Sequence, residues 1–126
     1  MSAKKKIFIV EDHPLTRVML AQLINYEDDM TVCGEADNII TALSEIKLTK
    51  PDAAIIDLNL KGSGGLELIK SLKTHHIQLP VLVLSMLPET LSAERVLRAG
   101  AKGYISKSAT PADVLNAIRK VFDGQV

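Results

Sequence analysis

The chain has 126 residues, of which 47% are hydrophobic and 24% are charged, so we expect one globular domain and not a disordered segment. Its 15 Lys and Arg residues equal its 15 Asp and Glu residues, and this balance argues against a surface for nucleic acid or an anionic membrane. No stretch approaches the ~20 apolar residues of a membrane span. Cys33 is the single cysteine and excludes an internal disulfide, which favours the cytoplasm.

Short apolar runs alternate with helical patterns five times along the chain. The predicted strands are Lys6–Val10, Thr31–Ala36, Ala53–Leu58, Val81–Ser85 and Gly103–Ser106. The predicted helices are Pro14–Tyr26, Ile39–Lys47, a third that follows a glycine-rich loop and ends near His75, Thr90–Ala99, and a last one from Thr110 to about Phe122.

Local signals mark the ends of the helices and the faces that should cover a sheet. Pro14 suits a first helical turn, Gly100 is expected to stop the fourth helix, and Thr110 is expected to cap the last. The apolar residues at helical spacing in the first two helices are Leu15, Val18, Met19 and Leu23, followed by Ile40, Leu43 and Ile46. We expect these residues to face the core.

The first, third and fourth strands are apolar almost throughout, as expected when helices cover both faces of a parallel sheet. Right-handed crossovers then give a doubly wound α/β domain of the (βα)5 type. For five strands the flavodoxin-like order 2-1-3-4-5 is the commoner solution, with its switch point between strands 1 and 3. The carboxyl ends of parallel strands meet at one edge, where we expect the residues that follow each strand to come together.

Polar residues occupy that edge: Glu11, Asp12, Asp57, Ser85 and Lys107. Carboxylates that lie close together repel each other unless a cation bridges them, so three acids imply a hard divalent ion. Mg²⁺ fits such a site better than zinc because no set of cysteines and histidines is present. The arrangement suits a phosphoryl group, with a metal and a lysine to neutralise its oxygens, a hydroxyl to bind one of them and a carboxylate to attack phosphorus.

In this pattern the chain resembles the receiver domains of bacterial two-component response regulators, over nearly all of its length. The matching motifs are Glu11-Asp12, Asp57 with Gly65 beyond it, Ser85, and Tyr104-Ile105-Ser106-Lys107. The resemblance implies that Asp57 is the phosphoacceptor and that Ser85 and Lys107 contact the phosphoryl group. It also implies that Mg²⁺ is held by Glu11, Asp12, Asp57 and the backbone carbonyl of Asn59. Tyr104 would be the aromatic switch residue, moving inward as Ser85 moves toward the phosphate.

Residues 11–17 and 99–104 look like the LuxR-type branch of this family. That likeness implies a sensor histidine kinase or phosphotransfer protein as phosphodonor, and a C-terminal helix-turn-helix domain that regulates transcription. We expect residues 1–126 to be the receiver domain alone, with the output domain absent from this chain and no specific DNA binding without it. The partner surface would contact a second copy of the chain or the output domain.

Three positions depart from the family pattern: Lys61 and Ser108 stand where many receivers have proline, and Met86 stands where small residues are common. Two other functions fit the residues less well. A phosphatase of the haloacid-dehalogenase kind needs a second acid where Asn59 stands, and a flavodoxin-like cofactor binder needs a loop after the first strand that does not repel phosphate. His13, beside the acids, is expected to be solvated or to lie behind the metal ligands.

Overall fold

A computed structural model describes residues 4–58, 60, 64–85, 96–106 and 108–122 of the chain. Its strands are β1 (Lys5–Val10), β2 (Met30–Ala36), β3 (Ala53–Asp57), β4 (Val81–Ser85) and β5 (Gly103–Ser106). Its helices are α1 (Pro14–Asn25), α2 (Ile39–Thr49), α3 (Gly64–Thr74) and a last helix, Pro111–Phe122, and residues 96–99 are also helical. Most of the predicted fourth helix, together with Asn59, Lys61, Met86 and Lys107, lies outside the described residues.

The five strands are all parallel and lie in the order β2-β1-β3-β4-β5, which confirms the predicted topology. In this register Val10 lies level with Ile56, so the residues that follow them meet at the carboxyl edge of the sheet. On the other side of β3, Asp57 is level with Leu84 of β4. The switch point between β1 and β3 is therefore flanked by Glu11 and Asp57.

Strand residues alternate between two buried clusters, one on each face of the sheet. Ile7, Ile9, Ile55 and Leu84 point to the face covered by α1 and the last helix. Phe8, Val10, Ile56 and Val83 point to the face covered by α2, α3 and residues 96–99. Helices thus cover both faces, which explains why residues 7–10, 53–56 and 81–84 are all apolar.

The predicted core face of α1 is wrong. Its buried residues are Leu20 and Ile24, whereas Leu15, Val18 and Met19 are 73%, 48% and 60% exposed. Leu23 is half-buried against the sheet. The helix carries apolar side chains on more than one side, and a helix that lies on a sheet buries only the side nearest to it.

A similar correction applies to α2. Ile46 is buried and Leu43 packs against the same cluster as predicted, but Ile40 is 84% exposed. Ala42 takes the buried position one turn before Ile46, because residues four apart lie on the same side of a helix. Asn38 caps this helix by accepting a hydrogen bond from the Thr41 backbone N–H at 2.8 Å.

The three predicted signals at helix ends are confirmed, although α1 ends one residue earlier than predicted, at Asn25, and α2 ends two residues later, at Thr49. Pro14 lies in the first turn of α1. Gly100 has a φ of 123°, and the N–H of the next residue, Ala101, donates to the carbonyl of Val96, which closes the preceding helical turn. Thr110 Oγ1 accepts a hydrogen bond of 3.2 Å from the Asp113 N–H and so caps the last helix.

An irregularity interrupts the pairing of β1 with β2. The register shifts between Ile7 and Phe8, which lie opposite Val32 and Gly34, so Cys33 is the extra residue. A Cβ on Gly34 would lie 2.6 Å from the Phe8 ring, so the ring occupies the space that a side chain there would need. Among the described residues no helix is long and apolar enough to cross a membrane.

Candidate functional site

The candidate site lies at the carboxyl edge of the sheet, around the switch point between β1 and β3. Among the described residues, only Glu11, Asp57 and Ser85 are buried polar or charged residues, and each is 0% exposed. All three follow or end apolar strands, as the sequence predicts. Buried carboxylates are costly, so their presence at one edge points to a chemical role rather than to stabilisation of the fold.

Four side chains meet there. Glu11, Asp12, His13 and Asp57 each offer one ligand atom, and these atoms all lie within 4.8 Å of one another. His13 Nδ1 is 3.2 Å from Glu11 Oε2, 3.2 Å from Asp12 Oδ1 and 3.9 Å from Asp57 Oδ2. The three acids come together as predicted, but the imidazole lies closer to them than the sequence led us to expect.

The backbone that carries Glu11 is held from two directions. Its N–H donates to the carbonyl of Ala36 at 3.0 Å, which continues the pairing of β1 with β2. Its carbonyl accepts a 2.8 Å hydrogen bond from Arg17 Nη1. Arg17 also places Nε 3.5 Å from Glu35 Oε1. The sequence did not identify Arg17 as a positioning residue, because nothing in its spacing shows that its side chain turns back to the end of β1.

Gly65 lies against the backbone of Asp57. Its N–H donates to the Leu58 carbonyl at 2.8 Å, and a Cβ built on it would be 2.3 Å from the Asp57 carbonyl oxygen. That distance is far inside van der Waals contact, so only glycine allows α3 to begin here. The sequence pattern includes Gly65, and the structure supplies the steric reason for it.

Ser85 and Tyr104 lie on the same face of the sheet. Ser85 is level with Ser106, and Tyr104 is level with Val83, two residues before Ser85 on β4. Residues two apart along a strand share a face. Tyr104 is half-buried against the cluster beneath α2 and α3. The predicted switch pair therefore occupies positions that could be coupled through packing on one side of β4 and β5.

Ser106 and Ser108 flank Lys107, which is not among the described residues. Their hydroxyl oxygens are 2.8 Å apart, and the Ser108 N–H donates to Ser106 Oγ at 3.1 Å. Both contacts lie just past the carboxyl end of β5. The predicted metal ligand at the Asn59 carbonyl is likewise outside the described part of the chain.

The side chains present fit a divalent cation. Two fully buried carboxylates and a third, on Asp12, that is 7% exposed place oxygen atoms within 4.8 Å of one another. Their mutual repulsion is relieved when a cation lies between them. Carboxylate oxygen is the ligand type that Mg²⁺ prefers, and the imidazole of His13 adds a nitrogen at the open side.

Comparisons with known proteins agree with this geometry. The profile described as "Response regulator receiver domain" matches residues 7–119. Response regulator GacA from Pseudomonas syringae pv. syringae is 34% identical over 120 residues, covering 95% of this chain and 56% of that protein. A nitrate/nitrite response regulator homologue from Haemophilus influenzae is 31% identical over 126 residues, covering 100% of this chain and 61% of that protein.

The fold is also shared with a solved structure. The crystal structure of a LuxR-family two-component response regulator from Aurantimonas matches with a TM-score of 0.92 at 30% identity, covering 98% of this chain and 88% of that one. The chain spans less than two thirds of the length of the GacA protein and of the nitrate/nitrite regulator homologue.

Proposed function

The chain belongs to the response regulator receiver domain family, and from this premise we propose that it is a phosphorelay switch in which Asp57 accepts a phosphoryl group. The observation that carries the proposal is the position of Asp57, fully buried at the end of β3 with Glu11 and Asp12 around it. Receiver domains are signalling modules, and this one would change state through chemistry at the Asp57 carboxylate.

In the proposed reaction a carboxylate oxygen of Asp57 forms a bond to phosphorus. The bond from phosphorus to the nitrogen of a phosphohistidine donor breaks, and that nitrogen keeps the electron pair. Glu11, Asp12, Asp57 and the Asn59 carbonyl would hold Mg²⁺, which when bound supplies positive charge to the phosphoryl oxygens. The donor would be a sensor histidine kinase or a phosphotransfer protein.

Ser85 and Lys107 would stabilise the phosphoryl group once it is attached. The Ser85 hydroxyl would donate a hydrogen bond to one oxygen, and the Lys107 ammonium would neutralise another. In this way the domain would assist both its own phosphorylation and its own dephosphorylation. Movement of Ser85 toward the phosphate would leave room on the shared face of β4 and β5, and the Tyr104 ring would move inward to fill it.

We propose that this change passes to a DNA-binding output domain in a longer protein, where it would regulate transcription. The relatives support this, since the chain covers just over half of each. A second copy of the chain is another recipient of the change. The balanced charge of the chain offers little counterion release, so the receiver alone should not bind DNA specifically. Its place of action would be the cytoplasm.

Phosphoryl acceptance by Asp57 is tested by mass spectrometry after incubation with acetyl phosphate, with and without Mg²⁺, and beryllium fluoride serves as a phosphoryl mimic for NMR. We expect a mass increase of one phosphoryl group in the parent, and none in Asp57→Asn or in EDTA. Asp28→Asn is the matched control, because Asp28 is an exposed acid at the opposite edge of the sheet. Equal modification of Asp57→Asn and the parent would contradict the assignment, and steady turnover of a phosphate ester would instead favour a phosphatase.

The coupling of Ser85 to Tyr104 is tested by NMR. Ser85→Ala should still accept a phosphoryl group at Asp57, but the chemical shifts of β5 should change less on beryllium fluoride binding than in the parent. The reason is that a ligand shifts an equilibrium only through contacts that differ between the two states. Full parental shifts in β5 of Ser85→Ala would disprove the coupling.

A further inference from the structure

We propose that His13 is a nitrogen ligand of the acidic site, which would make the site bind transition-metal ions such as Ni²⁺ more tightly than its three carboxylates alone would. The inference rests on the proposed function, because it takes the acidic cluster to be a divalent cation site. It goes beyond that function by assigning a role to a side chain outside the expected ligand set and a class of ion to that role.

The spacing of His13 from the acids is the spacing of ligands around one ion. With bonds of about 2.1 Å, adjacent ligands of a six-coordinate ion lie about 3 Å apart and opposite ones about 4 Å apart. Nδ1 of His13 is 3.2 Å from one oxygen of Glu11, 3.2 Å from one of Asp12 and 3.9 Å from one of Asp57. The imidazole is therefore already at ligand distance from every acid in the cluster.

The backbone holds His13 in this place. It is the residue just before α1, with φ −87° and ψ 111°, and Pro14 follows it. Its carbonyl accepts the Arg17 N–H at 3.0 Å, and its N–H lies 3.4 Å from Glu11 Oε2. The ring is 61% exposed, so it covers the solvent side of the cluster while the carboxylates line the buried side.

Ion preference follows from the ligand types. Imidazole nitrogen suits zinc, copper, iron and nickel, whereas Mg²⁺ prefers oxygen and keeps several waters. Loss of the ring should therefore cost little for Mg²⁺ and much for Ni²⁺. Because Asp57 belongs to the same group of ligands, an ion held by His13 would compete with Mg²⁺ for the site.

The test is calorimetric titration of the full chain with Mg²⁺ and, separately, with Ni²⁺. The background variant is His75→Ala/His76→Ala, which removes the other two histidines, exposed residues just after α3 that could bind Ni²⁺ by themselves. Adding His13→Ala to this background should weaken Ni²⁺ binding at least about tenfold and change Mg²⁺ binding less than about twofold. His13→Gln, which keeps a hydrogen-bonding group, should behave like His13→Ala.

A direct signature comes from NMR of the imidazole nitrogens, with Zn²⁺ as a diamagnetic probe. In the background variant, where His13 is the sole histidine, Zn²⁺ should shift the Nδ1 resonance selectively, and Asp12→Asn should weaken that shift. No change at Nδ1 on saturation with Zn²⁺ would overturn the inference.

The outcomes separate the two proposals. If Mg²⁺ binds and Asp57 is modified, but Ni²⁺ affinity is the same with and without His13, the inference about His13 fails and the proposed function stands. If His13→Ala weakens both ions equally, the ring acts on the acids and not as a ligand, and the inference also fails. If the parent neither binds Mg²⁺ nor accepts a phosphoryl group, the proposed function itself fails.

Discussion

The carboxyl ends and the amino ends of the parallel strands form two edges of the sheet, and charged side chains are arranged differently at each. At the carboxyl edge, Glu11 and Asp57 carry like charges and are fully buried. At the amino edge, Arg119 of the last helix lies between Glu27 and Asp29, with contacts of 2.8 and 3.0 Å, and all three side chains are partly exposed. The carboxyl edge thus gathers acidic side chains in the core, and the amino edge pairs opposite charges at the surface.

The difference shows which edge serves stability and which serves chemistry. An exposed ion pair contributes at most about 1 kcal/mol to stability, but its charges stay largely hydrated and so carry only a small desolvation penalty. Buried like charges lower stability unless a ligand compensates them. A chain selected only for folding would have no reason to keep the acidic cluster. Four predictions, one of them with a control variant, test this contrast, beginning with the one that should have the largest effect.

Gly65→Ala should lower the free energy of unfolding by about 3 kcal/mol or more. The added Cβ would lie 2.3 Å from the Asp57 carbonyl oxygen and 2.9 Å from a methyl of Ile56, so the start of α3 or the end of β3 must shift. The measurement is urea unfolding followed by circular dichroism. A loss below about 1 kcal/mol would mean that the two segments separate easily.

Gly34→Ala is the matched control for this prediction. It also crowds the core, since its Cβ would be 2.6 Å from the Phe8 ring, but it lies on β2, away from the acids. Both variants should be destabilised, and only Gly65→Ala should also weaken Mg²⁺ binding, because it displaces Asp57. Equal weakening in the two variants would show a general loss of structure.

Asp12→Asn should remove Mg²⁺ binding while leaving the metal-free protein as stable as the parent, or more stable by about 1 kcal/mol. Removing one charge relieves repulsion among the clustered carboxylates. Thermal unfolding with and without Mg²⁺ measures both effects, because an ion that binds only the folded state raises the melting temperature of the parent. A clear fall in the melting temperature of the metal-free variant would assign Asp12 a structural role instead.

Arg119→Gln should cost about 1 kcal/mol or less, and the cost should shrink in high salt. The guanidinium binds Asp29 through Nε and Nη2 and Glu27 through Nη2, but 39% of the side chain is exposed. Salt screens exposed pairs strongly. Urea unfolding of both proteins at low salt and at about 1 M NaCl gives the comparison. A loss that salt does not reduce would show that Arg119 acts through packing.

Asp29→Asn should have the smallest effect, present near neutral pH and lost in acid. The hydrogen bonds from Arg119 hold the pKa of the Asp29 carboxyl below its ordinary value of 3.8 in the folded protein. A group with a lowered folded-state pKa stabilises the protein above its unfolded pKa, and that contribution is lost as pH falls through the folded value. Stability curves of parent and variant should therefore differ slightly near neutral pH and converge below about pH 4. Curves that stay parallel to the lowest pH would contradict this.

Much of the fold could be predicted because apolar runs and turn signals are local properties of the chain. The predicted starts of β1 and β2 fall one residue inside the observed ones, and β3 ends one residue earlier than predicted, at Asp57. The strand order followed from general rules for parallel sheets. The cluster of Glu11, Asp12 and Asp57 followed in turn, because the strand order fixes which carboxyl ends are neighbours.

What could not be predicted depends on contacts between distant residues. The sequence of α1 offers Leu15 and Met19 on one side and Leu20 and Ile24 on another, and only the path of the helix across the sheet selects the second pair. The approach of His13 to the acids and the bond from Arg17 to the Glu11 carbonyl depend on side-chain directions at the end of β1. Side-chain directions of this kind do not produce a periodic pattern in the sequence.

The close contact between Gly65 and the Asp57 carbonyl has a consequence for mutational tolerance. Every other amino acid carries a Cβ, so a library selected only for folding should reject all replacements at position 65. The same library should accept Asn at position 57, since it keeps the shape of the side chain and removes a buried charge. A second selection, for phosphoryl acceptance, should reject both. The two positions are thus separated by the first selection, which rejects replacements at position 65 and accepts Asn at position 57.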